Sequence, residues 1–286
     1  MTLPTDPYAL KAVETATKTI IELLHQDVKS GVTELLNLIK ERGKEKAIEN
    51  ARNFEQVLEK DMAQRISIGI SPNGYERIEG NLNDPDFAYL VRQATIASAR
   101  TSSPDKHALL ARAVTERLIA QPEGLVALAS SLACEIIPNL TQLQLSFLGL
   151  LTTVMGIRPT ITFDVSQASA EIQQDVYLSW LKKTLTVFSP FPKMRPIDYD
   201  HLQGMSCIDV MRIGQRDWHS LLKPRDLPKF AWPEGFFEKD ELILELKKID
   251  GLLKCATTTV GAVIGTHVHD IKSNANPTVF LWDNTE

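Results

Sequence analysis

The sequence predicts a mostly α-helical protein, with an N-terminal helical bundle followed by a winged-helix-like α+β half. Three observations lead to this reading. Apolar residues recur at spacings of three and four through most of residues 8–138, the signature of helices with one buried face. The pairs Asp84-Pro85 and Ser103-Pro104 each place a capping side chain before a proline suited to a first helical turn. Runs of β-prone residues fall mainly later, at 160–163, 207–211 and 252–256, around a stretch rich in proline and aromatic residues. The chain divides on this pattern into a helical domain, 1–138, and a winged-helix-like domain, 139–286, with an insertion at about 214–240.

The first helix is expected over 8–26, where Ala9, Val13, Ala16, Ile20 and Leu24 share a stripe behind Pro7. Residues 31–62 read as one long helix or as two broken at Gly43. Val32, Leu35, Leu36 and Ile39 are continued by Ile48, Ala51, Phe54, Leu58 and Met62, with Glu41, Lys44, Glu45 and Lys46 on a solvated face. So long a stripe needs a partner helix, in this chain or in a second copy. Ile66, Ile68 and Ile70 alternate before Pro72-Asn73-Gly74, which suggests a short strand or an irregular arm ending in a turn. Three helices with short connectors follow. Their stripes are Phe87, Leu90, Val91, Ala94 and Ala97; then Leu109, Leu110, Ala113, Val114 and Leu118; then Leu125, Leu128, Ala129, Leu132 and Ile136, up to Pro138. Phe87, Leu90, Leu110, Val114, Leu128, Leu132, Leu145 and Leu148 are expected to be buried together.

In the second half, Thr141 caps a helix that Gly156 ends. Helices are expected at 168–186, with Ile172, Val176, Trp180, Leu181 and Leu185 as its stripe, and at 197–204. Cys207 to Met211 read as a strand, and Leu242, Leu246 and Ile249 as a helix. Leu252 to Ala256 read as a strand. Thr257 or Thr258 caps a last helix bearing Val260, Ile264, Val268 and Ile271. Helix, strand, helix, short helix, strand, insertion, strand is the order of a winged helix.

Composition narrows the function classes. The 286 residues are 43% hydrophobic, enough for a sizeable core, and the formal charge of −5 argues against a global grip on nucleic acid or anionic lipid. Cys134, Cys207 and Cys255 are odd in number, widely spaced and set in apolar surroundings, which suits reduced thiols in the cytoplasm. Residues 1–8 lack the pattern of a signal peptide, and no run approaches the ~20 apolar residues of a membrane helix.

Few residues invite a chemical role. His267-Val268-His269-Asp270 is the tightest set of metal-capable side chains. Positions two apart on a helix face different ways, so the expectation is a pair of solvated histidines near a helix end and not an ion site. Asp200, His201 and Cys207 suggest a base and a nucleophile, but no motif frames them. Neither a G-x-S-x-G elbow nor a phosphate-binding glycine loop occurs. No catalytic residue, cofactor or metal site is therefore assigned. A winged helix would present Pro196–Gly204 to DNA, yet that segment carries Asp198, Asp200 and His201 and no Lys or Arg. Arg195, Arg212, Arg216 and Lys223 are the available wing contacts. Phe230, Trp232, Phe236 and Phe237 in the insertion either pack back over the domain or form a partner surface, since such residues are enriched in interface hot spots.

Leu82 to Leu90, Thr101 to Ala111 and Ile137 to Leu145 together resemble bacterial abortive-infection alpha proteins and relatives of similar length. The shared pattern is an acidic-Pro start, a helix pair and a Leu-Thr segment opening a further helix, over about residues 80–155. The resemblance implies a bacterial cytosolic helical protein linked to phage defence or mobile elements, and supplies no catalytic residues. The expected function is accordingly non-enzymatic interaction or assembly, with a protein partner or a second copy. The alternatives are a winged-helix DNA-binding transcriptional regulator and, third, a hydrolase or nuclease whose residues the sequence does not reveal.

Overall fold

The computed structural model describes residues 7–38, 41–69, 72–157, 168–211, 216–224, 227–249 and 251–275. Fourteen α-helices, one 3-10 turn at Ile137–Asn139 and one two-stranded antiparallel ribbon make up their regular structure, so the protein is mostly α-helical. The described residues group into two units, one up to Asn139 and the other from Leu140 onward. Among the described residues no helix is long and apolar enough to cross a membrane.

The first unit opens with α1 (Pro7–Leu38) and α2 (Glu41–Gly69). Helix α1 does not stop near residue 26. Ile20, Leu24, Val28 and Leu35 stay on one buried side, so a single helix serves one continuous interface. Gly43 breaks no helix: it is held inside α2 at the ~1 kcal/mol penalty of a helical glycine. The alternating isoleucines are not a strand either. Ile66 closes the α2 stripe Ala51, Phe54, Leu58 and Met62, and a 3.6-residue period that already buries those four outweighs a three-residue alternation. Ile70 lies outside the described residues. Pro72-Asn73-Gly74 opens α3 (Pro72–Leu82), because a proline in the first helical turn forfeits no hydrogen bond.

Helices α4 (Pro85–Ala99) and α5 (Pro104–Ile119) begin where their capping residues stand. Asp84 accepts from the Asp86 backbone N–H, and Ser103 accepts from that of Lys106. Helix α2 packs against α1, α4 and α5, which supplies the partners its stripe requires. Charged side chains are buried here as well. Arg65 on α2 pairs with Glu116 on α5; Asp61 lies 3.5 Å from Arg65 Nε and 3.3 Å from Arg112 Nε. Two cations and two anions cancel, so the network is neutral as a whole and tolerates burial. Asn81 adds hydrogen bonds to the carbonyls of Leu118 and Ala120, at 2.7 and 3.1 Å, and Asn50 one to that of Ala99 at 3.1 Å.

Helix α6 (Leu125–Ile136) departs from its sequence stripe. Leu125, Leu128 and Leu132 are 60, 55 and 48% exposed, whereas Val126, Ala127, Ala129, Ser130, Ala133 and Cys134 are buried. Small residues let α6 approach α5 and α4 closely, and that contact excludes the bulkier leucines. The expected common core is corrected accordingly. Leu128 and Leu132 are outside it, and Leu145 and Leu148 belong to the second unit.

The second unit is built on α7 (Gln142–Met155), whose Thr141 and Gln144 form a reciprocal capping box, and on α14 (Thr259–Ser273), capped by Thr258. The two helices lie against each other, and glycines make this possible. A Cβ on Gly265 of α14 would stand 2.0 Å from Thr152 Oγ1 of α7, and one on Gly149 of α7 would stand 2.6 Å from Val268 Cγ1 of α14. Between them come α8 (Ala170–Thr186), α9 (Pro196–Gly204), β1 (Ile208–Val210), α10 (Trp218–Leu222), α11 (Phe236–Lys239), α12 (Glu241–Leu246), α13 (Gly251–Lys254) and β2 (Cys255–Thr257). Strand β1 pairs antiparallel with β2, Ile208 opposite Thr257 and Val210 opposite Cys255. The expected strand at 252–256 is shortened, since Gly251–Lys254 forms a helical turn and only Cys255–Thr257 is extended. The insertion contains two short helices, α10 and α11. The β-prone run 160–163 lies outside the described residues.

Candidate functional site

Two features of the first unit stand out chemically. The first is a cleft of about 250 Å³ between α1 and α2, with Val28, Val32, Leu36, Ile48 and Ala51 as its apolar lining and His25, Lys29, Arg52 and Glu55 as polar groups. His25 follows the buried Leu24 and so stands on the flank of the α1 stripe. Glu55 and Glu59, four residues apart on α2, meet it there. His25 Nδ1 is 2.7 Å from Glu55 Oε1 and 3.9 Å from Glu59 Oε1. Burial beside Phe54 raises the pKa of Glu55; His25 and Arg52 oppose the rise and the Glu59 charge adds to it. Among the described residues this trio is the group of histidine and carboxylate ligands close enough for one ion.

The second feature is the row of leucines that α6 leaves uncovered. Leu125, Leu128 and Leu132 recur at spacings of three and four on one side of the helix, and exposed Glu123 and Glu135 flank the row.

The residues singled out from sequence fare differently. His267, His269 and Asp270 are buried, at 1, 7 and 1% exposure, so the expectation of solvated histidines is overturned. Helix α14 is enclosed almost to its C-terminus, and His269 Nδ1 lies 3.2 Å from Asp270 Oδ1. Cys207 is buried, which pushes its thiol up to about 12, and its Sγ lies 3.6 Å from the Met205 carbonyl. A thiol so held is not a thiolate at neutral pH, and thiolate is the nucleophile. His201 is instead hydrogen-bonded through Nδ1 to the Gln144 amide, at 3.0 Å. Burial likewise pushes Cys255 up to about 11 and raises Cys134 further still.

On α9, Asp198 is 5% exposed and accepts from the Arg195 backbone N–H at 2.9 Å and from Nε at 3.1 Å. Those hydrogen bonds hold its carboxyl below the usual range. Asp200 and His201 are exposed, so the surface of α9 carries one of the two carboxylates expected to face a duplex. Arg216 donates to the Cys255 carbonyl at 3.2 Å and lies against Met155 Sδ, while Lys223 is exposed. Arg212 lies outside the described residues.

The insertion's aromatic residues pack on one another. Ring centroids are 4.9 Å apart for Phe230 and Trp232, 5.1 Å for Trp232 and Phe236, and 5.3 Å for Phe236 and Phe237. Tyr177 joins at 5.1 Å from Phe230 and donates its hydroxyl to the Leu222 carbonyl. Phe236 and Phe237 are buried; Phe230 and Trp232 are half-buried and keep an outer edge.

Sequence reasoning missed the trio and the leucine row. The four-residue spacing of Glu55 and Glu59 was visible, but His25 stands far upstream and joins them only through the pairing of α1 with α2. The leucines were visible and were assigned to the wrong side. No curated protein and no solved structure matches the chain. A protein-family model described only as “-like”, with no activity stated, matches residues 26–230, well over half of the sequence, and the chain belongs to that family.

Proposed function

We propose that the protein is a non-enzymatic interaction protein whose working surface is the leucine row of α6. The observation that carries this is the exposure of Leu125, Leu128 and Leu132 at 60, 55 and 48% on a helix whose other side is buried. Three leucines about half turned to water forgo roughly 1 kcal/mol or somewhat more each of possible burial, a loss that binding recovers. Their spacing fits the apolar face of a second helix, as in helix-in-groove recognition. The flanking Glu123 and Glu135 favour a partner helix whose apolar stripe is bordered by Lys or Arg. The aromatic rings of the insertion spend most of their surface on each other, which leaves the edges of Phe230 and Trp232 as a secondary contact. A defence role rests on the resemblance of residues 80–155 and is compatible with an adaptor of this kind.

The test is site-specific photo-crosslinking in cells, with the crosslinker at Leu128 and, as control, at exposed Lys223. A discrete adduct with one protein at Leu128, lost when Leu132→Asp is added while the helical circular dichroism is kept, is the expected result. Equal labelling at both positions, or an adduct that survives Leu132→Asp, rejects the surface.

The DNA-binding reading ranks second. The order α7, α8, α9, β1, β2 and the antiparallel pairing of the strands support a winged-helix-like topology. Charge weighs against its use on DNA: Arg195 is tied to Asp198 and Arg216 to the Cys255 carbonyl, so few cations are left to neutralise phosphates.

A further inference from the structure

We propose that His25, Glu55 and Glu59 bind one divalent transition-metal ion of the zinc or manganese type. One imidazole nitrogen and two carboxylates, delivered by α1 and α2, form the three-ligand set that leaves further positions to water, as in open zinc sites. The spacing suits an ion. Donor atoms about 2.1 Å from a tetrahedral metal stand roughly 3.4 Å from one another. His25 Nδ1 lies 2.7 Å from one carboxylate oxygen and 3.9 Å from the other, on either side of that separation. The imidazole, with its side chain 62% exposed, has room to turn by the half ångström or somewhat more required.

The electrostatics agree. Glu55 and Glu59 repel each other at four residues' spacing, and Glu55 is partly withdrawn from water as well. A protonated His25 can offset one of the two charges, whereas a divalent ion offsets both and accepts the neutral imidazole. The nitrogen donor selects against calcium and magnesium, which prefer oxygen ligands throughout. Arg52 and Lys29 are opposing charges: Arg52 acts on Glu55 and both line the neighbouring cleft, so they weaken cation binding without preventing it.

The full chain, stripped with a chelator, is titrated with zinc sulfate and with manganese chloride by calorimetry. One equivalent of zinc is expected to bind saturably. His25→Ala and Glu59→Gln are each expected to weaken it by about tenfold or more, the scale of losing a group that tunes a metal site. Arg52→Ala is expected to tighten it a few-fold, and His201→Ala, removing an exposed histidine in the other unit, to leave it unchanged. Circular dichroism checks that each variant folds. Absence of a saturable site, unchanged affinity in His25→Ala, or loss of binding in His201→Ala overturns the proposal and leaves the trio a surface ion pair.

Discussion

The two units solve the packing of helices in opposite ways. In the first, long and heavily charged helices are fixed against each other by polar groups taken inside: Arg65 with Glu116, Asp61 with Arg65 and Arg112, Asn81 on two carbonyls. In the second, α7 is apolar nearly all round, and register against α14 comes from glycines that admit no side chain. An apolar surface slides without much loss, whereas a buried charge has one acceptable partner. Charge pairing therefore sets register where helices have spare polar positions, and shape sets it where they have none.

Removing one side of the charge network should have the largest effect. Glu116→Ala leaves the buried Arg65–Asp61–Arg112 network with one positive charge in excess, and the expected destabilisation is about 3–5 kcal/mol. Trp180, Trp218 and Trp232 lie in the second unit, so with Trp282→Phe in the background tryptophan fluorescence reports that unit and far-ultraviolet circular dichroism reports both. In a urea titration, the dichroism transition should move further than the fluorescence transition. Equal displacement of both would show that the network is not specific to the first unit.

Gly265→Ala should act in the other unit, by about 3 kcal/mol at the upper end of overpacking, since its Cβ would collide with Thr152 Oγ1 and the Leu148 carbonyl oxygen of α7. Here the fluorescence transition should move further than the dichroism transition. A fluorescence midpoint within error of the parent protein would mean that α14 accommodates the methyl group and that shape is not what holds the pair.

The smallest effects test α6, where the two strategies meet: small residues set the approach and leucines are left over. Ala133→Leu should destabilise by about 1–3 kcal/mol through overpacking, whereas Leu132→Ala should change stability by no more than about 0.5 kcal/mol. The reverse order, with Leu132→Ala the more damaging, would return the leucines to the core and remove the proposed docking row.

Local chemistry was legible in the residues. Asp84, Ser103, Thr141 and Thr258 cap the helices they precede because a cap needs only its own backbone a few residues on. The helical periods of α4 and α5 were legible too, since each has one apolar side and so one way to face the core. The α6 segment is apolar on both sides, and its period names two faces without choosing between them. Only the close approach of α5 and α4, which small residues permit and leucines do not, decided that Leu125, Leu128 and Leu132 point outward. The burial of His267 and His269 and the meeting of His25 with Glu55 and Glu59 were decided in the same way. Each depends on which helix lies alongside, a pairing of residues far apart in sequence that tertiary packing sets and local spacing does not encode.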